Sequence, residues 1–369
     1  MIVQVCIDPA ESQGGLYRFI RDFAAIAPAR TVALCGRRTP YPGDDICVIR
    51  VGSGELIPCR PYLPERTRVA LAAALEGASH VVCHSLYRGH VATLAAICQK
   101  RNIPYSIIAH GMLDPWTLSR NALLKQAWLR CGGRRALESA AHLLFTTSRE
   151  MQKALPTVPR ARAAILRPAV VQFADRSPVG RHAARARLGI DPGTRLLIWI
   201  GRFDPMKRPI ETLRAFVQSR PARTILAVAG FPAQIGASAI LAETDRAGPM
   251  VRYLGPVTGP ERANLFSAAD GFVSFSHREN FGYSFAEAVA HGLPCLVSSG
   301  LDLLGDMSDH SVGWVAEAAE QWSRCFAAFD AAGDDLLSDI GRSNAAWAGD
   351  HLSVASMRRS IHELFPAAA

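Results

Sequence analysis

The sequence predicts an α/β protein made of two doubly wound, parallel-sheet domains. The chain has 369 residues, more than one hydrophobic core organises efficiently, so two domains are expected. In its first half, apolar strand-like runs alternate with helical segments, a pattern that favours parallel sheets. Residues 271–298 add a strand, a polar loop, a short helix stopped by Gly292 and Pro294, and a second strand, which is one βαβ unit.

The composition is that of a globular protein with a cytoplasmic location. Hydrophobic residues make up 49% and charged residues 20% of the chain. No apolar run approaches the ~18 residues of a membrane-spanning helix, and residues 1–8 read as a strand, not as a signal peptide. The nine cysteines are scattered without a Cys-x-x-Cys pair, which predicts buried thiols in a reducing compartment.

The net charge of +9 comes mainly from arginine and leaves two interpretations open. The charge either attracts the protein to an anionic membrane or a lipid phosphate, or it reflects compositional bias alone. Nucleic acid is not an expected partner, because the chain contains no recognised binding motif. The sequence carries no signal of an oligomeric state.

The predicted strands of the first half are residues 2–7, 31–35, 46–51, 80–83, 105–109 and 142–146. Gly14 and Gly15 stand between the first strand and a helix predicted over residues 17–26. Paired glycines at this position allow a helix N-terminus to approach a phosphate or a sugar closely, although they also suit a simple turn.

Polar side chains follow the fourth and fifth predicted strands. His110, followed by Gly111, is expected at the carboxyl end of its strand and exposed to a cleft, not to the core. His84, Arg88 and Asp114 are candidates for an acceptor pocket. The alternative for these residues is a place in solvated loops.

Residues 118–135 combine apolar residues at helical spacing with arginine, lysine and tryptophan at the margins. Such an amphipathic, basic segment is able to lie on a membrane surface. Packing of its apolar face on the sheet explains the pattern equally well, so both alternatives stay open.

The second half opens with a predicted strand over residues 196–200, a cationic loop over 201–209 and a helix from Ile210. This arrangement is typical of diphosphate binding. Arg202 supplies a planar fork for phosphate oxygens and Lys207 a compact charge. No Asp-x-Asp occurs in the sequence, so no metal site is predicted and the two cations are expected to neutralise the phosphates.

Glu279 is predicted in the loop after a strand and Glu287 in the helix that follows. A wholly helical span of eight residues would separate their Cα atoms by roughly 12 Å, more than the ~5 to 9.5 Å of paired glycosidase carboxylates. One carboxylate therefore suits a sugar and the other a ribose. The N–H groups of Asn280, Phe281 and Gly282 are expected to face an anion between them.

The Glu279-x7-Glu287 spacing, with Asn280-Phe281-Gly282 inside it and Gly-Leu-Pro after it, resembles glycosyltransferase family 4. These are retaining nucleotide-sugar enzymes with the GT-B fold, in which two Rossmann-like domains face a cleft. The resemblance implies an acceptor-side domain over residues 1–168 and a nucleotide-sugar-binding domain over 169–350. It also implies that a C-terminal helix within residues 351–369 returns to the first domain.

The resemblance implies functional roles for individual residues of this chain. His110, Arg202, Lys207 and Glu279 match catalytic positions. The expected donor-binding residues are Gly14, Gly15, Gly201, Val257, Asn280, Phe281, Gly282, Tyr283 and Glu287. Residues 167–171 depart from the Pro-Asn-Gly-Val/Ile-Asp sequence that is frequent in the family, which leaves the contacts of that Asn and Asp unassigned.

The resulting hypothesis is transfer of a sugar from a GDP- or UDP-sugar to a hydroxyl of a lipid-linked or saccharide acceptor. It requires no cofactor, and it places the protein in bacterial polysaccharide or glycolipid synthesis with peripheral contact to an anionic membrane. Two other hypotheses stay open. The first is a nucleotide-sugar epimerase or hydrolase of the same fold, and the second is a non-catalytic subunit of a membrane assembly.

Overall fold

The computed structural model describes residues 1–9, 14–36, 46–52, 60, 62–170 and 177–366. The chain divides into two compact units. Unit 1 comprises Met1–Ala169 together with Val354–Ala369, and unit 2 comprises Val170–Ser353. Val171, in the segment that departs from the family pattern, lies outside the described residues.

Unit 1 contains a seven-stranded sheet in which every described neighbour pair is parallel. Its strands are β1 (Ile2–Ile7), β2 (Arg30–Gly36), β3 (Ile46–Val51), β4 (His80–His84), β5 (Tyr105–Ile108), β6 (His142–Phe145) and β7 (Ala163–Ile165). The spatial order is β3-β2-β1-β4-β5-β6-β7. The order therefore reverses between β1 and β4, and such a switch point is where open α/β sheets hold ligands.

Helices cover the sheet of unit 1. They are α1 (Gly15–Ile26), α2 (Glu65–Ala74), α3 (Gly89–Lys100), α4 (Pro115–Ser119), α5 (Ala122–Trp128), α6 (Arg134–Glu138) and α7 (Ser148–Ala154). In α1 the apolar residues recur at helical spacing, so that Phe19, Ile20 and Phe23 are all buried. Helix α1 thereby packs beside the switch point.

The basic segment over residues 118–135 is not one continuous helix, as its spacing had suggested. Helix α4 ends at Ser119, and Asn121 adopts a left-handed conformation with φ 54° before α5. A π-helical turn at Leu129–Gly133 then interrupts the α-helix again, because Gly132 has φ 108°. Left-handed residues cannot continue a right-handed helix, so the segment folds as three short helices.

Unit 2 contains a six-stranded sheet whose described pairs are also parallel. Its strands are β8 (Arg195–Phe203), β9 (Thr224–Pro232), β10 (Val251–Gly255), β11 (Gly271–Ser274), β12 (Cys295–Ser298) and β13 (Gly313–Ala316). The helices are α8 (Pro178–Arg187), α9 (Pro209–Ser219), α10 (Ala237–Ala247), α11 (Gly259–Ala268), α12 (Tyr283–Ala290), α13 (Trp322–Ala331) and α14 (Asp334–His351). The spatial order is β10-β9-β8-β11-β12-β13.

Strand β8 separates two hydrophobic cores in unit 2. Ile198 and Ile200 belong to one core, and Leu197 and Trp199 belong to the other. Successive strand residues point to opposite faces, so a continuous apolar run supplies both cores. Strand β8 is therefore central and buried on both faces.

Strand β8 is longer than predicted, which corrects the placement of two site residues. Gly201 and Arg202 are strand residues paired with Gly230 and Phe231 of β9, and not members of a loop after Ile200. A Cβ atom on Gly230 would lie 1.8 Å from the carbonyl oxygen of Gly201. The absence of a side chain at Gly230 is what allows the strands to stay this close.

After unit 2 the chain returns to unit 1 as α15 (Val354–Leu364). Phe365 is buried, and its ring lies 6.3 Å from that of Phe23 and 4.6 Å from that of His80. Among the described helices, none has both the length and the hydrophobicity needed to cross a lipid bilayer.

Candidate functional site

A lysine and a carboxylate meet at the carboxyl ends of β8 and β11. Lys207 ends a 3₁₀ turn at Pro205–Lys207, and its Nζ donates to Oε2 of Glu279. The two side chains are 23% and 20% exposed, so the pair is shielded but still open to a ligand. Lys207 is also the single lysine between positions 170 and 353. The cation and the carboxylate singled out in the sequence are therefore in direct contact.

Backbone hydrogen bonds hold both partners of this pair in place. The N–H of His277 donates to the carbonyl of Met206 at 2.7 Å, which ties the 3₁₀ turn to the loop after β11. Glu279 donates its N–H to the carbonyl of Gly300 at 3.0 Å, and its carbonyl accepts from the N–H of Asp302 at 2.9 Å. The backbone of Glu279 is thus fixed through both its N–H and its carbonyl.

Two glycines make room for the pair. A Cβ on Gly201 would lie 3.2 Å from Cδ of Lys207, so the lysine stem packs directly over that glycine. Gly282 has φ 70°, and a Cβ there would lie 2.9 Å from Cγ of Glu279. Gly282 therefore meets two demands at once, a left-handed backbone and close approach to the carboxylate.

Arg202 is a further cation near the carboxyl end of β8, with its charge available. Its side chain is exposed, and it makes no hydrogen bond or ion pair with the residues that the structure describes. Strand alternation places Gly201 and Phe203 on one face of the sheet and Arg202 on the other face. Helices α11 and α12 cover the face on which Arg202 lies. A guanidinium at the end of a strand is suited to bind phosphate oxygens in pairs.

The N-terminus of α12 completes this edge of unit 2. Gly282 is the N-cap residue, and its carbonyl accepts from the N–H of Ala286 at 2.9 Å. The first N–H groups of a helix have no partner within the helix and attract anions. Phe281 is 5% exposed and packs edge-on against Tyr283 at 5.0 Å, which anchors the turn. Asn280 precedes it in the same loop.

Glu287 is buried and already engaged by an arginine that the sequence analysis missed. Arg262, in α11, contacts Oε1 of Glu287 through Nε at 3.3 Å and Oε2 through Nη2. The same Nη2 donates to Oγ of Ser284 at 3.1 Å. A bidentate arginine fixes the plane of a carboxylate. No local signal marked Arg262, because its partner lies 25 residues away in the sequence.

Unit 1 places two histidines together at the switch point of its sheet. The loop placement expected for His84 is wrong, because His84 is the last residue of β4 and fully buried. Its Nδ1 lies 3.1 Å from Nε2 of His110, which follows β5 with φ 50°. The rings stack with their centroids 5.4 Å apart. His110 is half-buried.

Left-handed residues other than glycine gather at the carboxyl ends of adjacent strands of unit 1. They are Asp8 after β1, Ser85 and Tyr87 after β4, and His110 after β5, with φ between 41° and 65°. Such conformations are rare and concentrate at functional sites. The clustering indicates a second functional edge.

Glu150, in α7, holds the turn at His110 and was also missed by the sequence analysis. Its carboxylate accepts from the N–H of Gly111 at 2.5 Å and from Oγ1 of Thr146 at 2.9 Å. Oγ1 of Thr147 accepts from the N–H of Glu150 at 3.1 Å. The Thr147-x-x-Glu150 spacing of a capping box was the available signal.

The remaining predicted residues cap helices or lie in the core. Gly14 is the N-cap of α1 and Gly15 its first residue, and Arg88 is the N-cap of α3. Asp114 caps α4 by accepting from the N–H of Trp116 at 2.8 Å, and it lies 3.4 Å from Nζ of Lys153. The side chain of Val257 is buried in unit 2. The functional roles expected for these residues stay predictions.

Comparison with known proteins gives a family match within unit 2. The model of glycosyl transferases group 1 matches residues 180–332, which is less than half of the chain. This part of the chain is thus similar to the glycosyl transferases group 1 family. The match confirms the resemblance that rested on Glu279, Glu287 and the residues between them.

Curated proteins similar to this chain include two named D-inositol 3-phosphate glycosyltransferase. The relative from Streptomyces avermitilis is 29% identical over 280 residues, which are 71% of this chain and 60% of that protein. The relative from Thermobispora bispora is 31% identical over 234 residues, 59% of this chain and 53% of that protein. The matched part thus spans little more than half the length of these relatives.

Solved structures resemble this chain along almost its whole length. Anabaena HepE in complex with UDP and glucose has a TM-score of 0.76 at 16% identity and covers 100% of both chains. WaaG, a glycosyltransferase involved in lipopolysaccharide biosynthesis, has a TM-score of 0.70 at 16% identity with 99% of each chain covered. These similarities confirm the predicted fold class, the GT-B type with two Rossmann-like parallel-sheet domains.

Proposed function

We propose that the protein is a retaining glycosyltransferase that moves a sugar from a nucleotide diphosphate donor to a hydroxyl group. The observation that carries the proposal is the contact between Lys207 and Glu279, with the exposed side chain of Arg202 near the carboxyl end of β8. Two cations and a carboxylate at one sheet edge suit a ligand that joins a diphosphate to a hydroxylated sugar. The match of residues 180–332 to the group 1 family model supports the same reaction class.

The chemistry follows from charge. When the glycosidic bond to the diphosphate breaks, negative charge grows on the leaving phosphate. Arg202, Lys207 and the N–H groups at the start of α12 stabilise that charge, and stabilisation of this kind is often the largest catalytic contribution. Glu279, held by Lys207, accepts hydrogen bonds from the sugar hydroxyls. Glu287, oriented by Arg262, is the proposed contact for the ribose.

The donor that we propose is a nucleotide sugar, of the UDP or the GDP class. The UDP class has support from two similar structures, a complex of HepE with UDP and glucose and an Escherichia coli protein bound with UDP-2-fluoro glucose. The proposed acceptor is a hydroxyl on a saccharide or a lipid-linked molecule. Arg88 and Asp114 are its proposed neighbours in unit 1. His110, Gly14 and Gly15 are the proposed contacts of unit 1 with the donor.

The test is donor binding and turnover by the purified chain and three single variants. Lys207→Ala and Arg202→Ala are each expected to lower kcat by about 100-fold, the effect of removing one charge-stabilising donor. Arg187→Ala is the control, because Arg187 is also an exposed arginine of unit 2 without a described ion pair. It should change kcat less than about twofold.

Three outcomes would contradict the proposal. A folded protein that neither binds nor turns over UDP-, GDP- or ADP-sugars excludes the reaction. Equal effects of Arg202→Ala and Arg187→Ala exclude the assigned phosphate contact. Donor turnover that does not depend on any acceptor favours an epimerase or a hydrolase instead.

We further propose peripheral contact between the basic segment of unit 1, at the cytoplasmic face, and an anionic membrane. In α5, Leu123 is 83% and Leu124 is 55% exposed, and Arg120 and Lys125 flank them in the sequence. Exposed leucines between cations suit insertion at an anionic lipid surface. This supports the membrane alternative over simple packing on the sheet.

Flotation with vesicles tests this contact. The wild-type chain is expected to float with vesicles rich in phosphatidylglycerol, and the double variant Leu123→Asp/Leu124→Asp to stay in the soluble fraction. Val69→Asp is the control, because Val69 is 58% exposed on α2 of the same unit. Equal flotation of the double variant and the wild type would contradict the assigned surface.

A further inference from the structure

A chain of hydrogen-bonded side chains runs across three strands of unit 1. Gln4 lies in β1 and donates from Nε2 to the carbonyl of Ile20 at 2.9 Å and to Oγ1 of Thr31 at 2.7 Å. Its Oε1 lies 3.0 Å from Nε2 of His84, whose Nδ1 lies 3.1 Å from Nε2 of His110. Gln4 and His84 are both fully buried.

The partners of Gln4 determine where the protons of this chain lie. The carbonyl of Ile20 can only accept, so the amide nitrogen of Gln4 faces it and Oε1 faces His84. His84 must then carry a proton on Nε2. A neutral imidazole has one ring proton, so Nδ1 of His84 accepts and Nε2 of His110 donates.

The surroundings keep both rings neutral and fixed. Burial lowers the pKa of His84 well below its ordinary value, and His110 and His90 lower it further. Burial also lowers the pKa of His110 to about 3. The ring of Phe19 packs edge-on against both histidines at 5.8 and 5.4 Å.

We propose that Gln4 and His84 are positioning residues that fix His110 as a hydrogen-bond acceptor at Nδ1. Within the described part of the chain, Nδ1 of His110 has no hydrogen-bond partner, and it is not among the fully buried atoms. An unprotonated ring nitrogen accepts from a sugar hydroxyl and repels a phosphate or a carboxylate oxygen. The relay of Gln4, His84 and His110 therefore selects a hydroxyl-bearing group at this position.

The biological meaning of this inference rests on the proposed glycosyl transfer. The proton positions in the relay do not depend on that proposal. They are measurable without any substrate. Long-range ¹H–¹⁵N NMR of the full wild-type chain at pH 7 is expected to show His110 neutral, with its proton on Nε2. A proton on Nδ1, or a cationic ring, would overturn the inference.

Variants test the relay itself. Gln4→Met removes the acceptor for His84, so the proton of His110 is expected to populate Nδ1 as well. His84→Leu should have the same effect. His80→Leu is the matched control, because His80 is a buried histidine at the other end of β4 that bonds to Ser106 at 2.9 Å, outside the relay. Its substitution should leave the tautomer of His110 unchanged.

The functional readout is discrimination between a donor sugar and its deoxy analogues. Loss of one neutral hydrogen bond predicts a fall in kcat/KM of about 10-fold for Gln4→Met with the hydroxylated donor. The rate with the analogue that lacks the contacting hydroxyl should not change, and His80→Leu should keep wild-type discrimination. An unchanged tautomer in Gln4→Met overturns the relay. The expected tautomers without any donor turnover would instead contradict the proposed function and leave the relay standing.

Discussion

Gly282 shows how a single absent side chain positions a functional group. Its φ of 70° turns the chain into α12, and the space that its Cβ would fill belongs to Cγ of Glu279. Most glycines satisfy a conformational demand or a steric demand, and Gly282 satisfies both. Because the two demands are physically separate, they can be measured separately.

Gly282→Ala and Gly189→Ala separate these demands. Gly189 has φ 60°, and a Cβ on it would meet no atom within 4 Å, so only backbone strain of about 1 kcal/mol is expected there. Gly282→Ala adds a clash with Glu279 and should weaken nucleotide-sugar affinity by about 10-fold as well. Urea denaturation and calorimetric titration check the two effects. Equal affinities in both variants would contradict the assigned role of Gly282.

The ion pair of Arg262 and Glu287 joins two elements, α11 and α12. The side chain of Glu287 is 5% exposed and that of Arg262 is 24% exposed. A shielded ion pair contributes little more to the free energy of folding than apolar packing would. Removal of one partner is costly, however, because it leaves a poorly solvated charge behind. The pair therefore holds α12, with its N-terminus, against α11.

Arg262→Met is expected to destabilise unit 2 by about 3 kcal/mol, because the buried carboxylate of Glu287 loses its arginine partner. The double variant Arg262→Met/Glu287→Gln should recover part of this loss, since no charge is then buried. Free energies of unfolding from urea titrations of the single and double variants check the coupling. Strict additivity would show that the pair does not link the helices.

At the scale of the whole molecule, buried histidines in unit 1 couple stability to pH. Burial lowers the pKa of His80 and of His90 to about 4, and that of His110 to about 3. The pKa of His84 is shifted in the same direction. In the unfolded chain these residues regain a pKa of about 6.5. Below a pH of about 6.5 these histidines bind protons in the unfolded state but remain neutral in the folded state.

The free energy of unfolding should therefore decrease as the pH falls from about 6.5 toward about 4, by at most ~1.4 kcal/mol per pH unit for each histidine. His80→Gln removes one such group and should reduce this slope. His182→Gln, at an exposed position of α8, should leave it unchanged. Thermal unfolding between pH 7.5 and 4.5 measures the slopes. Identical slopes in both variants would contradict the assignment.

Much of the fold was predictable because its signals are local. Alternating apolar runs marked the strands, and the Glu279-to-Glu287 motif marked the family and the edge of unit 2. The errors were local as well. β8 continues through Arg202 because its hydrogen bonds to β9 continue, and β4 includes His84 because it pairs with Ile108 of β5. Strand pairing decides where a strand ends, and the partner strand is not adjacent in the sequence.

By itself, the sequence determined the α/β class, the resemblance to a glycosyltransferase family and the candidate residues for charge and hydroxyl recognition. Only the tertiary structure decided which of these residues touch. Lys207 and Glu279 are 72 positions apart, and Gln4 and His84 are 80 apart. Such contacts depend on strand order, which places β1 beside β4 and β8 beside β11. Periodicity along the chain reports which face of an element is apolar, but it carries no record of which elements become neighbours.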